Sequence, residues 1–147
     1  MLWIAAIISV TIASLLSIYT SQTITENKNL FFVPPFLMIA GIVFRFTAIR
    51  QLGKFFTVDV VLQKDHRLIE TGLYKMLRHP SYTGALITFF GFGLSLNHWT
   101  GFLLVSLSAL ISFNIRMNLE EKALIDLFGE KYREYKKHTW KVFPFIL

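Results

Sequence analysis

Cysteine is absent from the chain, which excludes disulfide bonds, thiolate metal ligands and S-acylation as sources of structure or attachment. Charge is also scarce, because 16% of the 147 residues are charged while 54% are hydrophobic. The mean hydropathy of +0.52 is too high for a soluble domain of this size. The composition therefore predicts an integral membrane protein.

Long stretches of the chain lack charge altogether. Residues 1–25 and 82–115 carry no charged side chain. At 1.5 Å per residue the second run is too long for one crossing of a ~30 Å hydrocarbon core, so it is expected to fold back near Leu96. The first run lacks the basic region of a cleaved signal peptide and is read as a retained span. We predict an all-α protein with about four transmembrane helices, at 2–20, 30–48, 81–96 and 99–116, the last two forming a helical hairpin.

Basic residues are unevenly distributed. Lys28 alone lies between the first two spans, and the other fourteen Lys and Arg fall between Arg45 and Lys141. The positive-inside rule then predicts a multi-pass protein with both termini and the active site on the cytoplasmic side. There the 47–81 loop and a C-terminal helix would form one polar region. The net charge of +6 fits anionic lipid headgroups better than nucleic acid, so no nucleic-acid partner is expected.

Two polar stretches flank the hairpin. The first contains "RHPSYTG", residues 78–84, in which Pro80 suits the first turn of a helix because its missing N–H is no loss there. Arg78 and His79 are therefore expected at the mouth of the third span. Upstream, residues 55–62 are β-branched and aromatic, which favours a small β-hairpin or an extended segment.

The second polar stretch begins at Arg116 and predicts an amphipathic helix, because its apolar residues recur at helical spacing. Arg116 and Glu120 lie four residues apart and share a face. They are either a simple pair that closes the helix at the interface or, with His79, a polar pocket at the edge of the lipid. The residue types leave both readings open. His79 could equally be a helix cap, and no metal-ligand spacing is present, so no metal is expected.

Combined, these stretches match a known pattern. "GLYKMLRHPSYTG" followed by "RMNLEEKALIDLFGEKYREY" and a closing "VFP" resembles the isoprenylcysteine carboxyl methyltransferase family and the related membrane phospholipid methyltransferases. The resemblance covers about residues 50–145, while the first two spans match only in being apolar. Leu73 and Lys75 depart from the family's usual proline and arginine. The resemblance implies a single methyltransferase domain, residues 1–147, that uses S-adenosylmethionine and a lipophilic acceptor from the bilayer.

The resemblance also implies roles for residues. Arg116 and Glu120 would be catalytic, with Arg116 holding an acceptor carboxylate and Glu120 contacting the cofactor. Arg78 and Glu121 would lie with Arg116 on the acceptor side, and Glu121 or His79 would act as base if a proton must leave. The implied cofactor contacts are Gln63, His66, Arg67, Leu68, Ile69, Tyr74, His79, Pro80, Ser81, Tyr82 and Glu120.

Two alternatives remain open. One is a phospholipid N-methyltransferase, which fits the same architecture with an amine acceptor. The other is a non-enzymatic four-helix transporter or scaffold. A coupled transporter usually places an ionisable residue in the middle of a span, and this sequence gathers its ionisable residues near one end of the predicted helices instead. The pattern therefore favours the enzyme.

Overall fold

The structure, a computed structural model, describes residues 2–19, 23–53 and 67–144. Its α-helices are α1 (Leu2–Tyr19), α2 (Val33–Leu52), α3 (Pro80–Ser95), α4 (Trp99–Phe128) and α5 (Glu130–Lys137), with short 3-10 turns at Lys28–Phe32 and Gly72–Lys75. Within these described ranges there is no β-strand, so the prediction of an all-helical protein is confirmed. The β-hairpin or extended segment predicted at 55–62 lies outside the described residues.

The predicted hairpin is present. α3 begins at Pro80, with His79 as its N-cap residue, and ends at Ser95. Asn97 adopts a positive φ of 46°, which turns the chain back on itself. The ring of His98 then accepts a hydrogen bond from the Gly101 N–H at 3.3 Å and so caps the start of α4. At the other side of the turn, the Asn97 N–H donates to the carbonyl of Leu94 at 3.0 Å, so both ends of the turn are fixed by local hydrogen bonds.

α4 is longer than the predicted span. It continues without a break through Arg116 to Phe128, and the amphipathic stretch that follows is divided in two. The division falls at Gly129, whose φ of 57° and ψ of −127° suit a residue without a Cβ. Because the helix is continuous, Glu120 is held rigidly with respect to the apolar half of α4.

α2 and α3 approach each other closely. A Cβ atom at Gly41 would lie 2.6 Å from the carbonyl oxygen of Gly84, and one at Gly84 would lie 2.5 Å from the backbone nitrogen of Arg45. In membranes, small residues let helix backbones pack at such distances without a hydrophobic driving force. This contact fixes the last turns of α2 beside the first turns of α3.

Hydrogen bonds also join the chain segments at the end of the molecule opposite Arg78 and Glu120. The Ile24 N–H donates to the carbonyl of Asn97 at 3.1 Å, and the Asn97 side chain exchanges hydrogen bonds with the backbone of Thr25. The α1–α2 connection and the α3–α4 turn therefore lie at one end. The start of α3 and the polar half of α4 lie at the other.

The surface is typical of a protein in lipid. Two of the described helical segments, Leu30–Leu52 and Trp99–Phe128, are long and apolar enough to cross a membrane. Large apolar side chains of α2 are exposed, with Phe36 at 72% and Phe46 at 61%. Soluble proteins rarely expose so much contiguous apolar surface. The fold thus agrees with the predicted membrane location.

The α2–α3 contact can be tested with matched leucine substitutions. Gly41→Leu should lower the thermal midpoint in detergent by at least about 5 °C, because the added side chain collides with backbone atoms of α3. Ala40→Leu, on the adjacent exposed position, should leave the midpoint unchanged. Fluorescence-detected size exclusion after heating measures both. Equal midpoints for the two variants would show that α2 and α3 are not in close contact at Gly41.

Candidate active site

The site begins with three side chains from both arms of the hairpin. Glu120 on α4 accepts a hydrogen bond from the hydroxyl of Tyr82 on α3 and lies 3.4 Å from Nε of Arg116. The side chains of Arg116 and Glu120 are 19% and 24% exposed, so the cluster is partly open. The structure therefore brings together three of the residues that the sequence proposes for the chemistry.

His79 links this cluster to a second carboxylate. Its Nδ1 lies 3.7 Å from Glu120 Oε2, and its Nε2 lies 3.4 Å from Glu121 Oε1. Nε2 is buried and makes no hydrogen bond with any described residue. The imidazole ring also packs edge-on to Tyr82, with ring centres 5.8 Å apart. His79 thus lies between two adjacent glutamates.

Glu121 is surrounded by cations. Arg78 Nε donates to Glu121 Oε1 at 2.9 Å, and Lys136 Nζ lies 2.6 Å from Glu121 Oε2. The Arg78 guanidinium also donates to the backbone carbonyls of Lys136, at 3.2 Å, and Thr139. Arg78, Glu121 and Lys136 form what we call the ion-pair network.

Residues 138–142, the C-terminal segment, close the site from the side. The Trp140 N–H donates to the carbonyl of Met76 at 2.9 Å, and the Arg78 N–H donates to the carbonyl of Trp140 at 2.8 Å. Further along, the Thr83 hydroxyl donates to the carbonyl of Val142 at 2.7 Å. The structure thus pairs this segment with the chain that enters α3. The "VFP" motif was the signal that could have indicated a packed role.

α2 contributes a wall that the sequence analysis missed. Arg45 NH1 donates to the carbonyl of Ser81 at 3.0 Å, and the Tyr74 hydroxyl lies 3.4 Å from the carbonyl of Ala48. Pro80 and Ser81 are buried in this contact. The signal for Arg45 was an arginine within the predicted apolar span 30–48, where a charged side chain usually has a specific partner.

Among the residues that it describes, the structure does not join the other predicted cofactor contacts to the cluster. Arg67, Leu68 and Ile69 form an irregular stretch before the 3-10 turn, and none of them hydrogen-bonds to the described residues of the cluster. Gln63 and His66 lie outside the described residues. The part of the chain that the structure describes contains no group of three or more His, Asp or Glu side chains that could hold a metal ion.

Two tyrosines of α5 pack beneath the ion-pair network. Burial raises the pKa of both Tyr132 and Tyr135 above the usual value, so each hydroxyl keeps its proton at neutral pH. The Tyr135 hydroxyl donates to the carbonyl of Tyr74 at 2.6 Å. The Tyr132 hydroxyl is buried without a hydrogen-bond partner among the described residues. Tyr135 therefore joins α5 to the 3-10 turn before α3.

The described architecture defines a class: an α-helical membrane protein with a polar cluster at the open end of a helical hairpin. It is similar to the solved structure of the eukaryotic intramembrane Ras methyltransferase ICMT, with a TM-score of 0.81 and 27% identity, over 98% of this chain and 52% of that chain. A model of the isoprenylcysteine carboxyl methyltransferase (ICMT) family matches residues 34–126. The chain belongs to this family.

Curated relatives agree. The protein-S-isoprenylcysteine O-methyltransferase of Schizosaccharomyces pombe is 36% identical over 69% of this chain and 44% of its own length. That of Dictyostelium discoideum is 32% identical over 82% of this chain and 52% of its own length. A methanethiol S-methyltransferase from Pseudomonas deceptionensis is 40% identical over 49% of this chain and 26% of its own length. The chain spans about half the length of the isoprenylcysteine relatives it matches.

The two tyrosines of α5 provide a paired test of this packing. Tyr135→Phe removes a hydrogen bond to a buried carbonyl and should destabilise the protein by about 1–2 kcal/mol. Tyr132→Phe removes a buried hydroxyl that has no partner among the described residues and should be neutral or stabilising. Thermal unfolding in detergent compares them. A larger loss for Tyr132→Phe would contradict the described contacts.

Proposed function

We propose that this chain is a membrane-embedded methyltransferase that uses S-adenosylmethionine to methylate the carboxylate of a lipophilic acceptor of the isoprenylcysteine type. The observation that supports this most directly is the Tyr82–Glu120–Arg116 cluster. It joins a carboxylate and a guanidinium where a charge-free helical hairpin meets the polar end of the molecule. Family membership supports the same reaction.

The residues of the cluster fit the cofactor that the family implies. When bound, S-adenosylmethionine supplies an electrophilic methyl group on a sulfonium. The partly exposed carboxylate of Glu120 can accept hydrogen bonds from an ammonium or from ribose hydroxyls. The ring of Tyr82 lies beside it, with its hydroxyl donating to Glu120. We assign Glu120 to the cofactor on this basis.

The remaining cofactor wall is proposed from the family pattern. Backbone and side chains of Gln63, His66, Arg67, Leu68 and Ile69 would close it from the loop before α3. Tyr74 and the first turn of α3, His79 to Tyr82, would close it from the hairpin. Tyr74 and this turn are held by α2 through Ala48 and Arg45.

Arg116 is assigned to the acceptor. Its contact with Glu120 uses Nε, and the two terminal nitrogens of the guanidinium can bind a carboxylate end-on with two parallel hydrogen bonds. Lysine offers a point charge and cannot reproduce that planar pair of donors. An acceptor carboxylate is ionised at neutral pH, so its methylation requires no general base. Arg116 then contributes by orienting the carboxylate, and position is the main protein contribution to such a transfer.

The site's place in the molecule suggests how the reactants enter. Arg116 directly follows the charge-free run 82–115, so a greasy acceptor can reach it from the bilayer. The polar cofactor would arrive from the opposite, charged side. We propose that α1, α2, α3 and the apolar half of α4 are four spans of one domain, and that the charged end is cytoplasmic, as the distribution of Lys and Arg supports.

Separate variants test the two assignments. Arg116→Lys should lower kcat by at least about tenfold while the cofactor Kd changes little, because the planar donors are lost. Glu120→Gln should raise the cofactor Kd instead. Isothermal calorimetry with S-adenosylhomocysteine and a radiometric assay measure these quantities. Arg133→Lys and Glu130→Gln, in an exposed pair on α5, are the matched controls and should change neither. Equal losses of both properties in Arg116→Lys and Glu120→Gln would refute the division of roles.

The acceptor class is tested with paired probes. Wild-type protein and methyl-labelled S-adenosylmethionine should convert S-farnesylcysteine with a free carboxylate into a product that releases labelled methanol in base. The carboxamide analogue of that probe should give no such product, because it lacks the carboxylate. Methanethiol is included because one relative carries the name of a methanethiol S-methyltransferase. Label found only in the thioether formed from methanethiol, or only in an added phospholipid, would contradict a carboxylate acceptor.

A further inference from the structure

The two adjacent glutamates of α4 lie in different surroundings. The side chain of Glu121 is 8% exposed and that of its partner Arg78 is 11% exposed, against 24% for Glu120. Both carboxylate oxygens of Glu121 contact a cation, Arg78 on one side and Lys136 on the other. A buried carboxylate so fully paired is poorly placed to meet a reactant, whereas Glu120 is open. The Arg78–Glu121 pair therefore has a role other than direct contact with a reactant.

Arg78 joins three separate parts of the chain. It precedes α3 in sequence and pairs with Glu121 on α4. It also donates to the carbonyl of Lys136, in the last turn of α5, and to that of Thr139, in the C-terminal segment. Carbonyls at the end of a helix lack intrahelical donors, and a cation there also complements the helix dipole. One guanidinium thus satisfies groups that would otherwise be left unpaired.

The ion-pair network also sets distances within the site. Arg78 is the neighbour of His79, and Glu121 is the neighbour of Glu120. Because a 2.9 Å contact joins Arg78 to Glu121, the backbone that carries His79 is held beside the backbone that carries Glu120. The contacts of Glu120 with His79 and with Tyr82 also join α4 to the start of α3.

We infer that Arg78 and Glu121 are positioning residues, which with Lys136 fasten the C-terminal segment against the start of α3 and thereby hold Glu120 in its cofactor-binding position. This rests on the proposed function, because Glu120 is assigned to the cofactor there. It replaces the acceptor-side role that the family resemblance implies for Arg78 and Glu121. Arg78 and Glu121 act through their neighbours and touch neither reactant.

Fastening is tested without the cofactor. The chain has no cysteine, and Val142 in the C-terminal segment is 1% exposed, so Val142→Cys gives a single buried thiol. In that background Arg78→Ala and Glu121→Gln should each raise the rate of maleimide labelling by at least about tenfold, since local opening exposes the thiol. Lys136→Ala should raise it less. Lys137→Ala, which removes the neighbouring lysine of an exposed pair, is the control and should not change it.

Positioning is tested by binding and kinetics. Arg78→Ala and Glu121→Gln should each raise the S-adenosylhomocysteine Kd and lower kcat, on the order of 10–100-fold as for other supporting residues, with the acceptor KM unchanged. The double variant should lose less than the product of the two single losses, because both substitutions remove the Arg78–Glu121 contact while each also removes contacts of its own. Arg78→Lys, which keeps the charge and is the milder change, should recover part of the loss.

The outcomes separate the claims. Unchanged labelling in both Arg78→Ala and Glu121→Gln overturns the fastening role. Faster labelling with unchanged Kd and kcat overturns the positioning role. If the losses of the two single variants are fully additive in the double variant, or if the acceptor KM rises while the cofactor Kd is unchanged, the positioning role is wrong and Arg78 contacts the acceptor directly. If wild-type protein binds no S-adenosylhomocysteine, the proposed function fails and positioning fails with it, while the labelling rates still decide whether the network fastens the segment.

Discussion

A helical hairpin in lipid must bring its two ends together, and the site depends on that constraint. The run 82–115 contains no charge and is too long for a single crossing of the bilayer. Two helices that pack side by side satisfy its backbone hydrogen-bonding groups. The residues before the run and those after it then meet at one end. Tyr82 and Glu120, separated by 38 positions, share a hydrogen bond for this reason. No long loop is needed to assemble the cluster.

The hairpin alone would leave its open end unsupported on one side, and α2 supplies that support. Gly41 and Gly84 let the two backbones touch, and this places Arg45 within reach of the Ser81 carbonyl. The first turn of α3 is therefore held by α2 and by the C-terminal segment, through Thr83 and Val142. One contact comes from the part of the chain before the hairpin and the other from the part after it, so the geometry of the site depends on most of the described fold.

Much of this could be read from the sequence because the membrane restricts the possible structures. The apolar helices, the turn near Leu96 and the helix start at Pro80 follow from charge-free length and from proline chemistry. The shared face of Arg116 and Glu120 follows from helical spacing. What the sequence pattern did not show depends on tertiary contacts. The partner of Arg45 and the pairing of the C-terminal segment with Met76 and Arg78 involve residues far apart in the chain, and no local periodicity encodes them.

Helix geometry gives the adjacent residues Glu120 and Glu121 of α4 different surroundings. Consecutive residues on a helix point about 100° apart, so Glu120 and Glu121 cannot serve the same surface. Glu120 faces the partly open cluster with Tyr82 and Arg116, whereas Glu121 faces the buried ion-pair network. A buried ion pair adds little net stability, because desolvation offsets its attraction, but breaking it is costly. Such a pair is better suited to fixing one arrangement of three chain segments than to strengthening the fold, and that arrangement gives Glu120 its neighbours.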